Sequence, residues 1–145
     1  MLSRTAEYLY WISRYMERAE TTARLLDVGY RMSLFPNPSG YNNEWESVLS
    51  AAGAIRGYKN KYDTIEQKNV EDYLFFDESN PSSVYNCILN ARNNALVVRT
   101  SFTPESWLAI NKTYQEILNL KEKKFSKSDL PDLTEWTIEQ VNLFR

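Results

Sequence analysis

The feature that most constrains this fold is an unbroken series of apolar residues near the N terminus, spaced three and four positions apart. The series comprises Leu9, Ile12, Met16, Ala19, Ala23, Leu26 and Tyr30. Such spacing places every member on one face of a helix that packs nearly parallel to its neighbours. We therefore predict a long helix over about residues 4–34, ended by Pro36 and Pro38.

A second series with the same spacing begins at Val84 and ends at Phe102. Asn80 and Pro81 stand before it, and this pair is typical of an N-cap followed by the first helical position, where proline needs no hydrogen-bond donor. The pattern predicts a second long helix over about residues 81–102.

Shorter helices are expected between and after these two. Thr64 and Gln67 have the spacing of a capping box, and Thr103-Pro104 repeats the cap-then-proline pattern. No segment shows the sustained two-residue alternation of a half-buried strand. The sequence therefore predicts an all-α helical bundle with two long helices and several shorter ones, forming a single domain over residues 1–145.

Small residues on the two long series predict how these helices pack. Ala19 and Ala23 lie four apart on the first series, and Ala91 and Ala95 lie four apart on the second. Pairs of this kind let helix backbones approach closely. We expect the two helices to be in direct contact.

The residue types available for chemistry are limited. The 145 residues include no histidine and one cysteine, Cys87. This composition excludes His-ligated metal sites, Ser-His-Asp triads, Cys-His dyads and a disulfide within the chain. The four glycines form no phosphate-binding loop. We therefore expect neither a metal nor a cofactor.

Charge and hydropathy bear on partners and location. A formal net charge of −2 argues against binding of nucleic acid through bulk electrostatics. No stretch approaches the roughly 20 apolar residues that span a bilayer, and the first residues do not resemble a secretory signal. The expectation is a cytoplasmic protein that binds neither membrane nor nucleic acid.

Charged residues form an Arg/Glu band on the first predicted helix, beside its apolar face. Aromatic and apolar residues occupy much of the remaining helix surface, and a helix of that kind is usually central in a bundle. The charges are then expected to be partly buried and paired. Local partners are available, such as Arg14 with Glu17 and Glu20 with Arg24.

Two interpretations of this band remain open. It can be a lattice of internal salt bridges that fixes the register between helices. Alternatively, Arg14, Arg18 and Arg24 converge with residues of the second long helix to bind a carboxylate or phosphate, with Glu17 or Glu20 as a general base. The residues expected from the second helix are Arg92, Asn94 and Arg99.

A weaker candidate anion site lies at the predicted start of the second long helix. Asn80, Ser82 and Ser83 offer side-chain hydroxyl and amide groups beside free backbone N–H groups. Ordinary helix capping by the same residues is the alternative.

Two groups of motifs resemble the bacterial alpha-E domain family. The first group is Leu2-Ser3-Arg4-Thr5-Ala6-Glu7, Tyr10-Trp11, Arg14-Tyr15, Glu17-Arg18-Ala19-Glu20 and Thr22-Ala23-Arg24-Leu25-Leu26-Asp27. The second group, in the expected order, is Asn80-Pro81-Ser82-Ser83, Ala91-Arg92, Asn94-Ala95 and Val98-Arg99.

The resemblance implies a helical protein of unsettled activity. Genes of this family tend to lie beside genes of ATP-grasp ligases and transglutaminase-like peptidases, which implies a system that makes or modifies peptides or amide-linked conjugates. Family members usually contain a second half with a similar Arg-Tyr, Glu-Arg-Ala motif. The chain is therefore expected to be the N-terminal half of a larger protein, or to form an oligomer.

Three functional hypotheses follow. The leading one is an accessory helical protein that uses the Arg/Glu band to recognise a substrate, or an ATP-grasp ligase or transglutaminase-like partner. The second is an enzyme in its own right, with a glutamate base and an arginine clamp for an anionic substrate. The third is a purely structural scaffold held by internal salt bridges.

Overall fold

A computed structural model describes residues 2–35, 43–122 and 130–144. This part of the chain contains seven α-helices, one short 3₁₀ helix and no β-strand. The α-helices are α1 Leu2–Ser33, α2 Asn43–Ala51, α3 Ile55–Lys61, α4 Gln67–Phe75, α5 Val84–Val97, α6 Pro104–Glu122 and α7 Leu130–Phe144. The all-α prediction is confirmed, whereas the prolines expected to end the first helix lie outside the described residues.

Helix α1 is the central element, as its apolar series predicts. It packs against α2, α4, α5 and α7, and its most extensive contact is with α5. Five members of the series are buried: Ile12, Met16, Ala19, Ala23 and Leu26. Burial of one apolar face against several neighbours favours a helix of this length, since most helical stability in proteins comes from tertiary packing.

The alanine pairs lie where close packing requires small side chains. Ala19, Ala23, Ala91 and Ala95 are all fully buried, and the predicted contact between their helices is confirmed. Ala23 also borders α7, because its carbonyl oxygen accepts a 3.4 Å hydrogen bond from the Thr134 hydroxyl. The small residues of α1 therefore allow two helices, α5 and α7, to pack closely against it.

Among the described residues, the core consists of two apolar clusters. One contains Trp45, Tyr58 and Phe75, and the other contains Ile12 and Ala91 at the opposite end of α1. The half-buried Tyr15 packs against both clusters and joins them.

Gly29 allows α1 and α2 to approach each other closely. A methyl group at this position would lie 2.7 Å from Cζ3 of Trp45 and 2.8 Å from Cγ2 of Val48. Both distances are far shorter than a van der Waals contact. The α1–α2 contact therefore requires glycine at position 29.

Helix α5 is shorter than the predicted 81–102 helix. It begins at Val84, ends at Val97 and is followed by a 3₁₀ turn over Arg99–Ser101. The prediction of Asn80 as N-cap is wrong. The cap is Ser83, whose hydroxyl oxygen accepts a 3.1 Å hydrogen bond from the backbone N–H of Asn86.

Of the two other predicted helix caps, one is confirmed and one is wrong. The Thr103 hydroxyl accepts a hydrogen bond from the Ser106 backbone N–H, and Pro104 is the first residue of α6, as predicted. The Thr64 capping box is wrong, because α4 begins at Gln67. The Thr64 carbonyl instead accepts a 2.6 Å hydrogen bond from the Tyr58 hydroxyl.

The hydropathy of the helices also bears on membrane association. Among the described helices, none is both long enough and apolar enough to cross a bilayer.

Candidate functional site

A groove runs along the exposed side of α1, beside the apolar face. It consists of two adjacent clefts of about 220 and 360 Å³, and both are lined by Trp11 and Tyr15. The first cleft is also lined by Arg14, Glu17, Arg18 and Thr21. We refer to the two clefts together as the α1 groove.

The second cleft extends the groove toward the start of α1 and reaches α5. Its further lining residues are Arg4, Glu7 and Tyr8 of α1 and Asn94 of α5. The lining residues of α1 recur at steps of three and four, which places them on one stripe of the helix. That periodic stripe is the signal in the sequence from which the groove could have been found.

Aromatic rings form the middle of the groove. Trp11 is 45% exposed, a large fraction for an indole side chain. Its ring lies 6.1 Å from the Tyr15 ring and 5.4 Å from the Tyr10 ring, centroid to centroid. Because Tyr15 also packs against both core clusters, it holds one side of this aromatic surface in place.

Arg14 and Glu17 form an ion pair at the rim of the first cleft. Nη1 of Arg14 lies 3.6 Å from Oε2 of Glu17, and both side chains are more than half exposed. The expectation that the band is partly buried is wrong for this pair. Exposed pairs of this kind contribute about 0–1 kcal/mol to stability. Both side chains are thus accessible to a ligand at little energetic cost.

Arg18 lines the first cleft, and its charge acts on a residue of α5. Within the described part of the chain, no carboxylate lies within 4.0 Å of its guanidinium group. Burial raises the pKa of the Cys87 thiol on α5 to about 12, and the positive charge of Arg18 acts in the opposite direction. Arg18 therefore presents a cation close to the α1–α5 contact.

The remaining charges of the band lie outside the groove lining. Arg24 pairs with Glu20 at 3.4 Å, and Arg31 pairs with Asp27 at 3.0 Å. Each pair joins neighbouring turns of α1, and no ion pair of the described residues links α1 to another helix. The expected lattice of interhelical salt bridges is therefore not formed by these residues.

Only one of the three α5-side candidates reaches the groove. Asn94 lines it, whereas Arg92 points to α6, where its Nε lies 3.4 Å from Oδ1 of Asn111. The Arg92 guanidinium also lies 5.0 Å from the centroid of the Tyr114 ring. Residues two apart point in nearly opposite directions on a helix, so Arg92 and Asn94 cannot share a site. Arg99 lies exposed on the 3₁₀ turn.

Comparison with known families supplies an independent line of evidence. A family model matches the chain over residues 1–145, and this family is Alpha-E, described as a predicted alpha-helical domain with a conserved ER motif. The chain belongs to the Alpha-E family. No curated protein and no solved structure matches the chain.

The ER motif of this Alpha-E chain lies in the groove. Glu17-Arg18 is the only Glu-Arg pair in the sequence, and both residues line the first cleft. The dipeptide that characterises the family is therefore placed at an accessible surface of α1 rather than in the core.

The second candidate anion site, Asn80, Ser82 and Ser83, forms a capping loop over residues 77–83. The buried Asn80 amide donates a 3.0 Å hydrogen bond to the Tyr73 carbonyl, and its Oδ1 accepts one from the Ser82 N–H. The Ser83 N–H donates to the Asn80 carbonyl. These backbone donors are engaged within the chain, so the loop acts as a helix cap.

Asp77 anchors the start of the capping loop. Its carboxylate accepts hydrogen bonds from the backbone N–H and the hydroxyl of Ser79 and pairs with Lys61 of α3. Burial opposes ionisation of Asp77, but the hydrogen bonds from Lys61 and Ser79 outweigh it and hold its pKa below the ordinary value. The hydrogen bond between Lys61 and Asp77 also raises the pKa of the Lys61 ammonium group.

The chemistry open to the α1 groove follows from its side chains. Within the described ranges, no three His, Cys, Asp or Glu residues are grouped as a metal site would require. Arg14 and Arg18 instead offer guanidinium groups, which bind carboxylates or phosphates through paired hydrogen bonds.

Proposed function

We propose that this Alpha-E domain is an accessory recognition unit of a peptide- or amide-bond-forming system, and that it binds through the α1 groove. The observation that carries the proposal is the position of the family's Glu-Arg pair, Glu17-Arg18, in the wall of an accessible groove. The ion pair that Glu17 forms with Arg14 is exposed, and a pair of this kind adds little to folding. Recognition of another molecule is therefore the better explanation for charges in this position.

The groove suits a ligand that bears a carboxylate. Arg18 has no carboxylate partner among the described residues, and Arg14 has only an exposed one. A guanidinium group binds a carboxylate through two parallel hydrogen bonds, which fixes the orientation of the bound group. Glu17 and Asn94 add an acceptor and an amide for donors on the same ligand.

The partner in this proposal is an ATP-grasp ligase or a transglutaminase-like protein encoded beside the Alpha-E gene. Support for that choice comes from the resemblance to the alpha-E family, whose genes tend to lie beside genes of such proteins, and the groove offers a surface for the contact. In this arrangement the Alpha-E domain presents a peptide or a carboxylate substrate to the partner, or binds an acidic surface of the partner itself.

The test is a direct binding measurement between the purified protein and the adjacent ligase, by isothermal titration calorimetry. The variant Arg14→Ala/Arg18→Ala is expected to weaken binding at least about tenfold, which corresponds to about 1.4 kcal/mol. The matched control is Arg24→Ala/Arg31→Ala, which also removes two exposed α1 arginines but outside the groove lining. Equal affinity of both double variants would contradict the proposal.

A second candidate function is catalysis by the groove itself. Glu17 favours it, because its carboxylate lies at the rim of a cleft that also holds two arginines, whereas Glu20 pairs with Arg24 outside the lining. Glu17→Gln separates the two functions. It should abolish turnover if Glu17 is a general base, whereas turnover should persist with weakened binding if the groove only binds, because the glutamine side chain keeps one acceptor oxygen.

A further inference from the structure

We propose that the ligand of the α1 groove is an extended peptide with a carboxylate at each end of a short apolar segment. This inference rests on the recognition function proposed above and specifies the ligand of that same groove. Three observations carry it: the order of charges along the groove, its length, and the aromatic surface in its middle.

An arginine side chain stands at each end of the groove. Arg4 lies near the start of α1, whereas Arg14 and Arg18 lie in the first cleft. Trp11 and Tyr15, which line both clefts, separate these two ends. A complementary ligand therefore has a negative group at each end and an apolar group between them.

The length of the groove sets the spacing of the two carboxylates. Arg4 and Arg18 are separated by about 21 Å along α1, at a rise of about 1.5 Å per residue. An extended peptide advances about 3.3 Å per residue. The two carboxylates are thus about six residues apart, a spacing too long for a single amino acid or a dipeptide.

The middle of the groove suits an aromatic or aliphatic side chain. Trp11 leaves nearly half of its surface exposed, and Tyr15 is fixed by the core below it. Exposed, rigid aromatic rings of this kind provide much of the binding energy at protein–peptide contacts. A phenylalanine or leucine packed on the Trp11 ring would remove this surface from water.

The acidic residues of the groove favour a peptide over a polyanion. Glu7 and Glu17 stand within the same lining as the arginines. They would repel the closely spaced phosphates of a nucleic acid. Toward the backbone between the two carboxylates of the peptide they are favourable, since a carboxylate accepts hydrogen bonds from backbone N–H groups, which a nucleic-acid backbone lacks. The Asn94 amide, on the opposite wall, can donate to a peptide carbonyl.

The test is an NMR titration of the protein labelled with ¹⁵N, observed at the four tryptophan indole N–H groups. The probe is a capped peptide of about seven residues, with glutamate at both ends and phenylalanine in the middle, so that the two glutamates are about six residues apart. The Trp11 signal is assigned by its loss in Trp11→Phe. We expect it to shift on titration, whereas the signal of the buried Trp45 should stay in place.

Two comparison peptides and one variant define the recognition. A peptide with glutamine at both ends, and one with the glutamates only two residues apart, should each bind at least about tenfold more weakly. Arg14→Ala/Arg18→Ala should weaken binding of the full peptide to a similar extent, and Arg24→Ala/Arg31→Ala should leave it unchanged.

The inference is overturned if the Trp11 signal does not move at millimolar peptide, or if the glutamine peptide binds as tightly as the glutamate peptide. Should binding of the adjacent ligase still depend on Arg14 and Arg18 in that case, the proposed function stands and the peptide ligand fails. The converse result, a bound peptide and a ligase indifferent to both arginines, supports the ligand and overturns the partner.

Discussion

The α1 groove and the capping loop are both rich in polar groups. Those of the loop are hydrogen-bonded inside the fold, whereas the charged groups of the groove are exposed. In the capping loop, Asn80 is buried and its amide joins the Tyr73 carbonyl to the Ser82 N–H. In the groove, Arg14 and Glu17 stay more than half exposed. Polar groups that are paired inside the fold stabilise it, and those left in an accessible cleft remain available for a ligand.

The largest expected difference between the two regions is in the response of their asparagines to truncation. Asn80→Ala leaves the buried Tyr73 carbonyl and the part-buried Ser82 N–H without these partners. We expect it to lower the free energy of unfolding by about 2–4 kcal/mol, measured by urea denaturation. Asn94→Ala, in the groove, should change it by less than about 0.5 kcal/mol. Similar losses of unfolding free energy in both variants would show that the two asparagines contribute equally to stability, against this comparison.

The neighbouring serines of the capping loop provide a finer comparison. Ser83→Ala removes the hydroxyl that caps α5 and should lower the free energy of unfolding by about 1 kcal/mol. Ser82→Ala removes a half-buried hydroxyl that is not the cap, and its effect should stay within about 0.5 kcal/mol. The urea unfolding midpoints of the two variants test this order. A larger loss of unfolding free energy in Ser82→Ala would show that Ser82, rather than Ser83, caps α5.

Asp77 makes the contribution of the capping loop to stability depend on pH. Because the folded pKa of Asp77 lies below its ordinary value of 3.8, its contribution is complete above that value and is lost as the pH falls through the folded pKa. The loss of stability between pH 5 and pH 2 should therefore be shallower in Asp77→Asn than in the unmodified protein. An Asp77→Asn profile as steep as that of the unmodified protein would contradict this role of Asp77.

The smallest expected effect belongs to the ion pair of the groove. Arg14→Ala breaks an exposed pair on one helix and should change the free energy of unfolding by less than about 0.5 kcal/mol. The same substitution is placed in the proposed binding surface, so thermal denaturation of the variant serves as the check that any loss of binding is not a loss of folding. A change above about 1 kcal/mol would mean that the groove is part of the structural framework.

The features that could be predicted from the sequence are those that depend on spacing along one helix. The apolar series from Leu9 to Tyr30 is long and unbroken, and α1 follows it closely. The alanine pairs likewise predict the α1–α5 contact. Both signals are local to a segment, and a periodic face needs no knowledge of the rest of the fold.

The features that could not be predicted depend on which neighbour a side chain meets. Asn80 has the residue type of an N-cap, but the folded chain brings it the carbonyl of Tyr73, and the cap passes to Ser83. Arg92 has a suitable type for an anion site, but its face of α5 meets Asn111 of α6. Residue type and spacing give the candidates, and tertiary contacts decide between them.

Gly29, which allows Trp45 to lie against the α1 backbone, lies on the same side of α1 as Trp11. The two residues are eighteen positions apart in sequence, which is about five full turns, so they share one azimuth on α1. At one end of this line the chain fills the surface with an indole ring of its own. At the other end, about 27 Å along the helix axis, the same side of α1 is open at Trp11. The packing of Trp45 on Gly29 thus shows, within the molecule, how an aromatic side chain can cover this side of α1.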